Sequence, residues 1–281
     1  MKGYCDLHTH SYFSDGTDSP EEILDKAVEA GLSAVALTDH NTVAGLPEFL
    51  ESAKGKDILA IPGVEISTGY NSKELHIVGL FLEPNRYGEI TDFLAVINQR
   101  KIESNKQLIR NLKIAGYALD YGEITEKHQG NVNRAVIAAA LLEKGYISEV
   151  KEAFKCLLSA KNGLYAPPER ISSFEAIEFL KSMNAVSVLA HPFLNLQEDE
   201  LAAFIPQAKQ SGLLAMETQY STYSPETTAA AVRIAQSFDI LQSGGSDYHG
   251  ANKPDIRIGI GKGSLAVPGS FASQLYDSKQ K

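Results

Sequence analysis

Cysteine is scarce: Cys5 and Cys156 are the only two in 281 residues. One distant pair cannot build the bridge network that staples small secreted domains, so both read as reduced thiols. Long apolar runs are missing as well. None approaches the ~20 residues that a membrane-spanning helix needs, and no membrane partner is expected. A lone Lys2 precedes Asp6 and His8, where the apolar part of a signal peptide would have to begin, so a cytoplasmic location is expected. Basic charge is in deficit, with 26 Lys and Arg against 35 Asp and Glu for a formal net charge of −9. Tracking a duplex backbone needs clustered Lys and Arg, so extended duplex nucleic acid is not an expected partner. A small phosphorylated substrate remains compatible, because bound divalent cations reverse the charge of a local pocket.

What is present is ordinary for a globular enzyme: 43% hydrophobic and 22% charged residues, in a length that suits two average domains or one large α/β barrel. There is no internal repeat and no low-complexity segment. Short apolar runs alternate with helical patterns over the first hundred residues, as Ser33–Thr38, Ile58–Ile66 and Leu75–Leu82 show. Pro62-Gly63 reads as a break in the second of these. Ser19-Pro20-Glu21-Glu22 is a helix start, with a capping serine, proline at the first helical position and acids in the first turn. From about Asp92 the texture turns helical and stays so until the strand Val186–Ala190; Leu213–Glu217 and Ile240–Ser243 complete the set. Alternation argues for an α/β fold. Residues 1–100 and 166–281 are expected to form the barrel and 101–165 a helical insertion. The tail beyond Pro268 is polar and carries no signal.

The opening stretch Tyr4-Cys5-Asp6-Leu7-His8-Thr9-His10 reads as a strand on which side chains alternate, so that Asp6, His8 and His10 share one face. Burying such a face is costly unless something such as a metal satisfies it. Ionisable groups also gather at or just past the other predicted strands: Asp15, His40, Glu65, His76, His191, Asp247 and His249. Six of the seven histidines sort this way, and only His128, in the insertion, does not. In parallel βα barrels the catalytic groups sit at the C-terminal ends of strands, where sequence-distant residues become neighbours. His76 fits less neatly, since it stands near the beginning of its run. Nine N and O donors without a thiolate exceed what one ion takes, so two or three divalent ions are expected, with Mn, Fe or Zn suiting the imidazole and carboxylate mix. Asp6 and Asp39 are expected to accept the remaining N–H of metal-bound imidazoles.

The strings DLHTHSYFSDGT, ALTDHNTVAG, IPGVEIST, LHIVG, VLAHP and GGSDYHG resemble the ordered motifs of the PHP (polymerase and histidinol phosphatase) family of metallophosphoesterases. The resemblance implies a distorted seven-stranded (β/α) barrel with a trinuclear site. It implies one metal held by His8, His10, Glu65 and Asp247, a second by Asp15, His40 and His249, and a third by Glu65 as a bridge with His76 and His191. Asp15, Glu65 and Asp247 are thereby expected among the catalytic groups. Asn41 departs from the DHDT that relatives commonly carry, without loss of a ligand. The insertion and the ending GGSDYHG…KPDIRIGIG look most like stand-alone enzymes that remove the 3′-phosphate of nucleoside 3′,5′-bisphosphates, some of which also trim short RNA from its 5′ end. Arg134 is the best candidate for gripping a substrate phosphate, and Lys161 the second. Histidinol-phosphatase-like activity is an alternative. An amidohydrolase-type barrel also opens with HxH, but its bridging lysine has no counterpart here. A non-catalytic metal-binding module is a further alternative, against which the intact ligand set speaks.

Overall fold

The structure, a computed structural model, describes residues 3–127 and 132–279. Its centre is one sheet of eight strands: β1 (Tyr4–Asp6), β2 (Ala34–Leu37), β3 (Leu59–Tyr70), β4 (Lys73–Leu80), β5 (Val186–Ala190), β6 (Ala215–Tyr220), β7 (Leu241–Gly245) and β8 (Val267–Pro268). The order is β7-β6-β5-β4-β3-β2-β1-β8. The sheet nearly closes on itself. Past β1 the chain pairs with β7 and the residues after it, with Leu7 N–H donating to Gly244 O at 3.2 Å, Asp247 N–H to His8 O at 2.9 Å and His10 N–H to Tyr248 O at 2.9 Å. Seven strands were expected; the eighth is a two-residue strand antiparallel to β1, too short to leave a pattern in the sequence.

Not all strands run the same way. β3 pairs with β2 in parallel as far as Pro62, then from Gly63 onward pairs antiparallel with β4. Pro62-Gly63 is therefore a change of partner within one strand and not a break. A Cβ on Gly63 would lie 2.9 Å from Gly79 O and 2.9 Å from Thr38 Cγ2, so only glycine lets three strands meet there. β4 is antiparallel to β5 as well, which removes the βα alternation at this point. This reversal explains His76. Because β4 runs backwards, its beginning lies beside the end of β5, and His76 is in register with Ala190.

The helices are α1 (Pro20–Glu29), α2 (Leu46–Ser52), α3 (Tyr87–Ile114), α4 (Tyr121–Lys127), α5 (Arg134–Glu143), α6 (Val150–Cys156), α7 (Ser173–Ser182), α8 (Glu198–Ser211), α9 (Pro225–Ser237) and α10 (Gly269–Lys279), of which α4, α5 and α6 bury their apolar residues in a cluster apart from the sheet. Ile23 and Leu24 of α1, Phe49 of α2, Leu180 of α7 and Phe204 of α8 pack on the outward side chains Val35, Leu37, Val64, Ile66, Ile77 and Leu189. The expected boundary at residue 101 falls inside α3. Its first half contributes Ile90, Leu94 and Ile97 to this layer, while Leu108 and Leu112 of its second half belong to a separate cluster with Ile124, Ile137, Leu141 and Leu158.

Inside the barrel lies a second apolar cluster, made by Cys5, Leu7, Ala36, Ile61, Val78, Leu80 and Val188. It is sealed by α10, whose Ala272 and Leu275 are fully buried in it. The polar-looking tail is thus a plug at the end of the barrel opposite to Glu65 and His191. Phe271, Ala272, Leu275 and Tyr276 recur at helical spacing, but four apolar positions in one short segment do not tell a plug from a surface helix by periodicity. Truncating the plug should cost what other buried leucines cost: Leu275→Ala is expected to lower unfolding free energy by about 2–5 kcal/mol in urea titrations. A loss below ~0.5 kcal/mol, the size of a surface change, would contradict the plug.

Candidate metal centre

The chain after β1 leaves strand geometry at once, and this decides which side chains converge. Cys5 and Leu7 face the apolar interior, whereas His8 and His10 come from the irregular stretch beyond Asp6. Asp6 does not join them. Its carboxylate accepts the backbone N–H groups of Ser246 at 2.8 Å, Gly259 at 2.8 Å and His8 at 3.3 Å, tying the start of the barrel to the chain past β7. That junction is tight: a Cβ on Gly245 would lie 2.4 Å from His8 Cβ. Asp39 likewise bonds no imidazole. It accepts Ser11 N–H at 2.8 Å and the hydroxyls of Ser11 and Ser14 at 2.6 Å each, holding the loop that carries Asp15, and burial pushes its carboxyl up to about 6. His191 and Asp247 have φ of 28° and 56°, a left-handed backbone that non-glycine residues rarely adopt and that clusters at functional sites.

All nine expected residues meet at this end of the barrel, around Glu65. Its Oε1 lies 2.8 Å from His76 Nδ1 and 3.0 Å from His191 Nε2; its Oε2 lies 3.0 Å from His40 Nδ1, 3.1 Å from His8 Nε2 and 3.3 Å from His10 Nε2. Asp247 Oδ1 stands 3.3 Å from His10 Nε2, and Asp15 Oδ1 is 3.2 Å from His249 Nε2. Burial alone would raise the Glu65 carboxyl, but the imidazoles of His40, His8 and His76 hold it well below the usual carboxylate range. Burial likewise disfavours a charged His76, which the Glu65 carboxylate nevertheless pushes up to about 10. His40 shows the opposite balance, with burial bringing it down to about 4.

The polar atoms at the middle of this cluster fit a cation. Among the described residues, His8 Nε2, both ring nitrogens of His10, His40 Nδ1, His76 Nε2 and Glu65 Oε2 are buried without a hydrogen-bond partner. Orphans of this kind are rare and costly, and metal ligation is a common reason for them. Four groups of these donors are compact enough to hold an ion: His10, Asp15, His40 and His249; His8, Glu65 and His191; His8, His10 and Asp247; and His40, Glu65 and His76. His8, His10, His40 and Glu65 each belong to two of them.

Several supporting residues were not foreseen. Glu217, inside β6, accepts from His8 Nδ1 at 2.8 Å and from the His191 backbone N–H at 2.6 Å, so one buried carboxylate orients donors from two stretches of chain. The strand expected at Leu213–Glu217 ended on this acid, whereas β6 runs on to Tyr220. Asp247 turns its other oxygen, Oδ2, to Tyr220 Oη at 2.7 Å and Lys253 Nζ at 2.6 Å. Asn41 has a φ of 51°, which asparagine tolerates, and its amide bonds Ser67 through both Oδ1 and Nδ2.

Beside the imidazoles opens a cavity of about 270 Å³ whose lining combines Asp15, His40 and His76 with the cations Lys101, Arg134 and Arg170 and the carboxylates Glu74 and Glu169. Asn133 caps α5 by accepting Val136 N–H at 3.0 Å and donates to Asp15 Oδ2 at 2.8 Å, which fixes Arg134 beside the cluster. Arg134 lies over the Tyr165 ring at 4.6 Å. Lys101, on the long helix α3, has no ion-pair partner among the described residues. Lys161 is exposed and does not line the cavity. His128 lies outside the described residues.

The PHP domain pattern matches residues 6–165. The chain is 32% identical to the 5′-3′ exoribonuclease Rnm of Escherichia coli, over 98% of this chain and 94% of that protein. It is 25% identical to a 3′,5′-nucleoside bisphosphate phosphatase of Chromobacterium violaceum, over 90% of each. A crystal structure from Bifidobacterium adolescentis, assigned as a metal-dependent phosphoesterase, superposes with a TM-score of 0.84 at 26% identity, covering 97% of this chain and 95% of the other. These likenesses and the donor cluster define a metal-dependent phosphoester hydrolase. The chain belongs to the PHP family.

Outer carboxylates that orient a ligating imidazole typically contribute ten- to a hundredfold in metal affinity. Glu217→Ala is therefore expected to lose metal to a graded chelator at about 10- to 100-fold lower chelator concentration than the parent. Glu217→Gln, whose single carbonyl oxygen serves His8 or His191 less fully, should fall between. Parent-like retention in both variants would contradict the role given to Glu217.

Proposed function

We propose that the nine residues hold two or three divalent ions and that the enzyme removes the 3′-phosphate of nucleoside 3′,5′-bisphosphates. The first ion would take His8, His10, Glu65 and Asp247, the second Asp15, His40 and His249, and the third His76 and His191 with Glu65 as the bridge. Bound there, such ions supply a hydroxide near neutral pH and neutralise the charge of the attacked phosphoryl group. The chain's own residues do the rest. Glu65, kept as a carboxylate by its imidazoles, faces both halves of the cluster. Tyr220 and Lys253 fix Asp247 so that Oδ1 points at the donors.

The observation that carries the substrate reading is the cavity, which joins the imidazoles to Lys101, Arg134 and Arg170. A substrate with two phosphates can put one at the cluster and the other against these cations. Charge-assisted hydrogen bonds of that kind are worth roughly 1.5–3 kcal/mol each, or about one to two powers of ten. A second reading, 5′-3′ exonuclease action on short 5′-phosphorylated RNA, is favoured by the higher identity to the exoribonuclease. It uses the same two positions, with a phosphodiester in place of the 3′-monoester.

Both readings make the same variants informative. His10→Ala, Glu65→Ala and Asp247→Ala should each lose activity in kcat while the barrel still folds. Arg134→Ala should lower kcat/KM on adenosine 3′,5′-bisphosphate by about 10- to 100-fold and leave an aryl phosphate nearly unchanged. Phosphate release from the bisphosphate, set beside nucleotide release from short RNA, ranks the two readings. Equal losses on bisphosphate and aryl phosphate, or no preference for the bisphosphate over 3′-AMP in the parent, would remove the basis of the bisphosphate assignment.

A further inference from the structure

The basic side of the cavity is a partition and not a wall. Behind it lies a second cavity of about 400 Å³, and Glu74, Arg134, Phe154, Tyr165 and Arg170 line both. Its outer rim is formed by Ser72, Ser159 and Ala160. The charge of this space is set by two guanidinium groups against one carboxylate, Glu74, which is already paired with Arg170 at 2.7 Å. Arg134 gives one of its N–H groups to Leu158 O at 3.3 Å and stacks on Tyr165. A guanidinium has five N–H donors in a fixed plane, so a group held this way can still meet anions on both sides of the partition.

We infer that the site admits nucleoside 3′-phosphates whose 5′ end is a diphosphate, with the β-phosphate seated in the outer cavity against Arg134 and Arg170. This rests on the reading above, in which the 5′-phosphate of the substrate faces Arg134. If the substrate ended at that phosphate, the space behind the guanidinium groups would have no anion to serve. The added phosphate meets the same fixed cations from behind and needs no rearrangement of the cluster. The reaction stays a hydrolysis at the 3′ position: water adds to phosphorus, the bond from phosphorus to the ribose O3′ breaks, O3′ takes a proton and inorganic phosphate leaves. The 5′-anhydride is untouched.

The test compares kcat/KM of the manganese-loaded enzyme on adenosine 3′-phosphate 5′-diphosphate, adenosine 3′,5′-bisphosphate and 3′-AMP, with products identified by mass. The expected result is that the 5′-diphosphate loses its 3′-phosphate at least as well as the bisphosphate does. Ala160→Trp, which fills the outer rim without entering the catalytic cavity, should lower kcat/KM on the 5′-diphosphate by about tenfold, one charge-assisted contact, while leaving the bisphosphate unchanged. Turnover of the bisphosphate with refusal of the 5′-diphosphate overturns this inference alone, and equal losses on both substrates in Ala160→Trp overturn it too. No turnover of the bisphosphate overturns the reading beneath it. The comparison of substrates on the parent enzyme decides the matter even if the tryptophan variant fails to fold.

Discussion

One buried carboxylate organises the molecule. Glu65 is fully shielded from water and has five imidazoles within 3.3 Å of its two oxygens. Taking charges out of water costs several kcal/mol for each ion unless partners return it, and the six buried atoms of this cluster that lack a hydrogen bond mark where a cation fits as the missing counterpart. The partners come from widely separated stretches of chain, which is why their supports matter. Asp6 and Asp39 fix loops, Glu217 orients His8 and His191, and Tyr220 with Lys253 turns Asp247. The positive φ of His191 and Asp247 shows that these constraints outweigh local backbone preference.

Stability has to be supplied elsewhere, and the barrel divides the two tasks along its axis. One half of the interior is apolar, from Cys5 and Ile61 to Val188, and α10 closes it with Ala272 and Leu275. The other half is the donor cluster. Helices on the outside complete the apolar shell, so the strained end is held by packing that it does not itself provide.

Most of this was legible because ionisable residues near strand ends stand out against apolar runs. Seven strands and the nine clustered residues could be read that way. His76 looked out of place only because antiparallel pairing of β4 leaves no mark on a short apolar run. Glu217 and Lys101 were hidden for a different reason. A single acid at a strand end and a single lysine on a long helix are common without function, and only the fold reveals what they face. The reach of Asp6 and Asp39 was misread because backbone N–H groups, their actual partners, are invisible to a residue pattern. The two-residue β8 carried too few apolar positions to register, and the four of the plug helix do not tell a plug from a surface helix. Arg134 was legible as a candidate for gripping a phosphate, but its tie to the cluster runs through Asn133 and Asp15, a side-chain link across 118 positions of chain.

That link joins the two halves of the account, since the helix that presents Arg134 is anchored on a member of the donor cluster. The central claim remains that the cluster around Glu65 is a site for several metal ions. Elemental analysis of mildly purified protein, backed by anomalous scattering at the metal edges, tests it most directly. The account predicts two or three transition-metal ions per chain, all within the ring formed by His8, His40, His76, His191 and His249. Fewer than one ion per chain, not raised by reconstitution with Mn, Fe or Zn, would contradict it.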